Sequence, residues 1–595
     1  MSLRISKFLL VFTLASCSCI FGQSPVRYTV SLADPERHLV HVELAIPPGR
    51  ASHELQLPVW NALYQVRDFV QYMNWIRAGD PNGHPLQLTQ LNKSRWQISG
   101  ADAGARVEYE MFSDSPGPYG AQLNSHHAFF NLAEILLYAE DEREAPVQVV
   151  FQQIPPTWKI ATPLRSDGPG YEATNYDQLV DSPIEIGTFV ETDFNGSCGK
   201  YRVTLDAENA AAILKTIVPP IERIVAGAAR WMNDCPFQDY IFIYHTSDSS
   251  DGGMEHAFGT AINLPVSDFE KDLSPFIAIT THEFFHLWNV KRIRPQSLEP
   301  VDYTKENYTP ALWFSEGVDT TAAEYIELRS GLLDERHYLD QLGQQITELQ
   351  NRPAHLTQSA EQSSLDAWLE KYARYGFRDR SISYYNKGEL VGVLLDLVMR
   401  DASQDQASLR ELFRSMNDQY AKNGEFFADS TAVRETAEKL SHASLHEFFQ
   451  KYVSGVEEIP WDKFFASVGL RVNRLQAVFA DPGFEAVQKF DQPPVVMQVQ
   501  AQGAADRAGL RAQDEILQIN GDPAGRNFEK HMANLAPGGI LNLIVRREGA
   551  QYQLHWKLGS REQTIFQVMD LPQLTAQQKA RRAAWLFDKP DNKPR

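Results

Sequence analysis

Cysteine is scarce in this chain: four residues in 595, with Cys17 and Cys19 near the start and only Cys198 and Cys235 beyond it. Neither of the latter has a CxxC-type neighbour, which excludes a thiolate metal cluster and a densely stapled small fold. Basic charge is also short, with 56 Lys and Arg against 76 Asp and Glu and a formal net charge of −20. With no long basic run, that balance excludes nucleic acid and an anionic membrane surface as partners. No apolar run reaches the length of a transmembrane helix, and no internal repeat is visible. What is present is ordinary globular composition, 43% hydrophobic and 22% charged, at a length that allows three or four domains.

Residues 1–22 read as an export signal, with Arg4 and Lys7 ahead of an apolar stretch at 8–15. Two processing routes are open. Leu14-Ala15-Ser16-Cys17 matches a bacterial lipobox, which would make Cys17 a lipidated first residue, whereas ordinary signal cleavage would fall near Gly22. Export is expected either way, to a periplasmic or secreted location or, through Cys17, to an outer-membrane lipoprotein. An oxidising compartment permits a Cys198–Cys235 disulfide, with two buried thiols as the alternative.

The expected fold class is multidomain α+β. Residues 24–183 carry alternating apolar and polar residues with Gly and Pro punctuation, which predicts a β-sandwich-like N-terminal domain holding Trp60, Trp75 and Trp96. Residues 184–470 are dominated by helical apolar spacing at 209–234, 274–290, 310–330 and 389–401. A buried strand at 238–245 lies upstream of Gly252-Gly253-Met254-Glu255. Residues 473–570 return to strands, and 571–595 read as a short amphipathic helix with Trp585 and a polar tail.

The chemistry is concentrated in His282-Glu283-Phe284-Phe285-His286. On a helix, positions i and i+4 share a face, so both imidazoles can reach one metal ion while Glu283 is rotated away from it. The spacing predicts a helix opened by Ser274 as N-cap with Pro275 at its first position, and stopped by Pro295. Glu316, in Trp313-Phe314-Ser315-Glu316-Gly317, supplies the carboxylate that completes the His, His, Glu set of an open zinc site, with one position left for water. Asp319 is a candidate for orienting a ligand imidazole.

The stretch from His282 to Pro295 closely resembles the signature of the PDZ-containing glycyl aminopeptidases, a branch of the gluzincin zinc metallopeptidases. The segment around Glu316 and the stretch 176–187 are similar to the same family. Residues 501–521, ending in Asn520-Gly521, resemble a bacterial PDZ module. The resemblance implies a thermolysin-like, mainly helical catalytic domain between the β domain and the PDZ module. It also implies an aminopeptidase that removes small N-terminal residues, Gly or Ala, from peptides with a free N-terminus. Glu283 would then be the general base, and Tyr385 or the adjacent Tyr384 the oxyanion donor, with Tyr385 preferred for its place before Asn386-Lys387-Gly388. Gly252, Gly253, Met254 and Glu255 would hold the substrate backbone and its ammonium group. The PDZ module would take an extended C-terminus by strand addition. Phe258, Trp313 and Phe314 are candidates for narrowing the pocket. The family pattern is broken at Asn61-Ala62-Leu63, at Gly259 and after Gly317, which leaves the residue preference open. An endopeptidase with PDZ-assisted capture, or a non-catalytic PDZ binding protein, are the alternatives.

Overall fold

The computed structural model describes residues 24–247, 252–370, 379–488, 493–525 and 528–588. The leader with Cys17 and Cys19, and the end of the polar tail, lie outside them. Among the described residues no helix is long and apolar enough to cross a membrane.

The N-terminal region folds as three sheets, of seven, four and four strands, around one apolar core. Alternation produces it: Leu39–Ile46 buries every second residue, so Val40, Val42, Leu44 and Ile46 face inward. Trp96 lies in this core. Trp60 instead packs edge-on to Trp368 of the central region, with ring centroids 5.1 Å apart.

The central region opens on a five-stranded sheet in the order Val190–Asn195, Lys200–Asp206, Asp239–Thr246, Gly259–Leu264, Gly252–His256. The central strand pairs in parallel with both neighbours and buries Tyr240 to Tyr244 on both faces, as an apolar strand in a parallel setting must. Among the described residues Gly252–His256 is the edge strand, pairing with Gly259–Leu264. Behind the sheet runs Ala210–Met232, followed by the motif helix Ser274–Phe285, the helix Asp319–Ser330 and the helix Tyr384–Ser403. Cys198 and Cys235 form a disulfide.

Leu470–Asp481 and Gly559–Asp570 pair antiparallel along their full length. This ribbon packs on the helix Glu335–Gln350, where Thr347 Oγ1 accepts the Phe566 N–H at 2.8 Å. A separate six-stranded sheet with its own core is strung between the ribbon's two strands. The final helix, Ala576–Phe587, begins on a reciprocal cap between Thr575 and Gln578. It returns to bury Trp585 among the side chains of the central region's core, its indole N–H donating to Tyr325 Oη at 2.6 Å.

Candidate active site

The motif helix starts one residue earlier than a Ser274 cap requires. Ser274 is its first residue, Leu273 precedes it, and the Ser274 N–H is taken by Asp272 Oδ1 at 3.0 Å. The Asp272 carboxylate thus satisfies the first free amide of the helix, and the expected Ser274 hydroxyl cap is not made. Regular helix ends at Phe285 and the chain continues in tight turns through Ile293. The His286 N–H still bonds the His282 carbonyl, so the two imidazoles stay on one face.

Glu316 arrives on a π-helical turn, Trp313–Val318, at the start of the next helix. Such turns add a residue to the helical ring and re-aim a side chain, and they recur at functional sites. Its position is set by a close backbone crossing. A β-carbon on Gly317 would lie 2.5 Å from Gly388 Cα, and one on Gly388 would lie 2.3 Å from the Trp313 carbonyl oxygen. Only glycines let the turn bearing Glu316 and the helix bearing Tyr385 approach this closely. Ser383 caps that second helix, its hydroxyl accepting from the Tyr385 and Asn386 N–H groups.

Three ligand atoms result. His282 Nε2 and His286 Nε2 are 3.0 Å apart, and Glu316 Oε2 is 3.5 Å and 3.3 Å from them. A tetrahedral zinc ion with arms of about 2.0–2.2 Å separates its ligand atoms by roughly 3.3 Å, so the trio fits that ion. Two aromatic nitrogens and a carboxylate oxygen, all turned to one point, also form the donor set that zinc prefers. Behind them, His286 Nδ1 faces the Asn289 carbonyl at 2.7 Å, while His282 Nδ1 faces Asp319 Oδ2 at 3.2 Å. Each contact turns the Nε2 lone pair of its ring toward the centre. Asp319 is fully buried, and Asn289 donates to it at 3.3 Å.

Glu283 stands beside this trio. Burial pushes its carboxyl up to about 8, with Glu255 and Glu316 adding to the rise and His286 opposing it. Among the described residues its buried Oε2 has no hydrogen-bond partner. Burial also works against the Glu316 carboxylate, but His286 and His282 hold it down at about 2. Gly253 leaves room for Glu283, since a β-carbon there would be 2.4 Å from Glu283 Oε1. A Glu255 carboxylate oxygen lies within 4.8 Å of side-chain atoms of both Glu283 and His286.

These groups line one cavity of about 670 Å³, together with Gly252, Gly253, Met254, Tyr384 and Tyr385. Tyr385 is 40% exposed and its ring centroid lies 6.1 Å from that of His282, whereas Tyr384 is 5% exposed. Of the aromatics expected to narrow the pocket, Phe258 lines it, but Trp313 and Phe314 do not. Both are fully buried in the core because the helical turn that points Glu316 inward points them away. Sequence reading missed Tyr64 and Tyr119, which the N-terminal domain contributes to the same cavity. One signal existed for Tyr64, which directly follows the break in the family pattern at Asn61-Ala62-Leu63; in the fold Leu63 and Tyr64 take left-handed backbone angles, φ 63° and 45°. It also missed Lys291, which pairs with Asp181 at 2.7 Å. Burial would raise Asp181, but Lys291 and His256 beside it hold it at about 2.

A second trio, His127, Glu185 and His245, sits where the N-terminal domain meets the catalytic sheet. Each Glu185 oxygen is engaged by one imidazole, at 3.1 Å and 2.8 Å, so the carboxylate bridges the two histidines by hydrogen bonds.

Comparison with known families matches residues 27–188 to the Peptidase M61 N-terminal domain, 275–391 to M61 glycyl aminopeptidase and 469–558 to a PDZ domain. Comparison with curated proteins returns no match. Among solved structures, an aminopeptidase N family protein from Idiomarina loihiensis is 24% identical and covers 94% of this chain and 100% of its own, with a TM-score of 0.78. An M1 zinc metallopeptidase from Deinococcus radiodurans is 14% identical over 73% of this chain and 93% of its own, with a TM-score of 0.46. The first shares this fold across nearly the whole chain.

Proposed function

The chain belongs to the PDZ-containing M61 glycyl aminopeptidase family, and from that premise we propose that it is a zinc-dependent exopeptidase acting on small N-terminal residues, glycine before alanine. The carrying observation is the convergence of His282, His286 and Glu316 on one point of a cavity that also holds Glu283 and Glu255. Bound by that trio, zinc supplies a Lewis acid that activates water for attack on a peptide carbonyl.

The chain's own groups divide the remaining tasks. Glu283, buried and holding an uncommitted oxygen, takes the proton of the attacking water and passes it to the leaving amine. Tyr385, beside His282 and open to the cavity, donates its hydroxyl hydrogen to the oxyanion that forms. The edge of Gly252–His256 that no described strand pairs with takes the extended peptide backbone, and Glu255 holds the α-ammonium group. Phe258 and Tyr64 line the cavity with bulk, which supports a preference for small side chains. The PDZ module captures an extended C-terminus by strand addition, and the leader at residues 1–22 sends the protein out of the cytoplasm.

Glu283→Gln tests the assignment. The variant should keep about one zinc per chain and lose roughly 10²–10⁴-fold in kcat. Acetylating the peptide's N-terminus should abolish cleavage by the wild type. Undiminished cleavage of acetylated peptides would identify an endopeptidase, with Glu255 unrelated to amine recognition.

A further inference from the structure

The loop at 118–120 of the N-terminal domain is held with unusual thoroughness. Asn131, 1% exposed, donates its side-chain amide to the Pro118 carbonyl at 2.6 Å and to the Gly120 carbonyl at 3.2 Å. The Tyr119 carbonyl between them accepts from Arg67 at 2.8 Å and from Asn61 at 3.0 Å. Arg67 is in turn fixed by Glu134, 2.7 Å away and 3% exposed. Burial works against charge on Glu134 and leaves its carboxyl near 7 despite Arg67. A buried pair of this kind is weak evidence of added stability, because desolvation offsets most of its attraction. What the arrangement does secure is direction: three consecutive carbonyls are fixed, and the Tyr119 side chain is presented to the active-site cavity.

The phenol ends over the substrate strand. A β-carbon on Gly252 would lie 2.6 Å from Tyr119 Oη, so the hydroxyl rests against the backbone at that residue. The direction of a bound peptide follows from the strand's two ends, given Glu255 as the amine site. Beyond Glu255 the edge closes: His256 is fully buried, the chain turns back into Gly259–Leu264, and the Ala257 N–H is taken by Asp181 at 3.1 Å. A peptide anchored by its ammonium at Glu255 therefore runs past Gly253 and Gly252, with its leaving portion beneath Tyr119.

We infer that Tyr119 is a substrate-binding residue supplied by the N-terminal domain, its hydroxyl donating to a carbonyl of the peptide after the scissile bond. It makes this enzyme prefer substrates with a peptide backbone on the leaving side. The inference rests on the aminopeptidase reading for its direction.

Tyr119→Phe tests it in the full-length zinc-loaded protein, because the ring and the fold are retained. The readout is kcat/KM for Gly-Ala-Ala divided by that for glycyl anilide, which has no peptide carbonyl in its leaving group. The ratio should fall about five- to tenfold, carried by KM, as expected for loss of one binding contact. A ratio within twofold of wild type, or equal losses on both substrates, overturns the inference. Tyr119→Ala, checked for zinc content, should lower the ratio at least as far, and a smaller loss than in Tyr119→Phe also counts against it. Wild-type cleavage of acetyl-Gly-Ala-Ala at an undiminished rate would refute the aminopeptidase reading instead, and with it the direction assigned to the peptide.

Discussion

Gly388→Ala asks whether the metal trio depends on how closely two backbones cross. The added β-carbon would lie 2.3 Å from the Trp313 carbonyl oxygen and 3.0 Å from Gly317 Cα. Both neighbours are main-chain atoms, so no rotamer change relieves the overlap. Restoring ordinary contact distances of roughly 3.5 Å requires the two segments to part by about 1 Å. Overpacking of this kind costs about 1–3 kcal/mol in stability. Its effect on the site is more specific, since Glu316 rides on the turn that must move while His282 and His286 stay on the motif helix. Metal–ligand distances tolerate only about 0.2 Å, so a displacement of this size removes Glu316 from the donor set. Zinc affinity, measured by competition with a chelator, should fall at least about tenfold, or 1.4 kcal/mol. Gly49→Ala is the control, with nothing within 4 Å of its new methyl group. Wild-type zinc affinity in Gly388→Ala would refute the argument that the glycine crossing positions Glu316.

Three further outcomes can be checked directly. Trp585→Ala should destabilise the catalytic region by about 3–5 kcal/mol in denaturant unfolding, because the indole is fully buried against Tyr325 and Tyr338. Replacing Cys198 and Cys235 together by Ser should lower stability by about 3–4 kcal/mol, as the bridge closes a loop with a sequence separation of 37. Glu185, held at about 2 by His245 and His127 against the pull of burial, contributes stability that is fully present above its ordinary value of 4.5. That contribution is lost as the pH falls through about 2. Fluorescence-monitored unfolding of Glu185→Gln should therefore show lower stability at neutral pH and a flatter decline between pH 4.5 and 2.

The parts of the site that were legible in sequence share a cause. His282, Glu283 and His286 are placed by local helical geometry, and a spacing of four suffices to put both imidazoles together. Gly252 to Glu255 and Tyr385 were reached through family resemblance, and all of them line the cavity. What was not legible depends on long-range packing. Tyr119 comes from a different domain and is aimed by Asn131, Arg67 and Asn61, none of which carries a local signature. The π-helical turn at Glu316 has no sequence pattern that sets it apart from an α-helical one, so the rotation of Trp313 and Phe314 away from the cavity and into the core was hidden. Trp585 sat in a segment with the pattern of a surface helix, and only the folded chain shows the groove beside Tyr325 that receives it.

The paired strands Leu470–Asp481 and Gly559–Asp570 have an architectural consequence. Asp481 and Gly559 are direct partners at the ribbon's far end, so the chain leaves for the PDZ module and returns from it at a single point. The six-stranded sheet is thus inserted between the ribbon's strands rather than appended at the end of the chain. Truncating the chain before the ribbon would also tear Trp585 out of the core and confuse loss of peptide capture with loss of folding. Joining Asp481 to Gly559 through a short turn would close the ribbon as a hairpin, leave the final helix seated, and give a scaffold into which other peptide-recognition modules could be grafted.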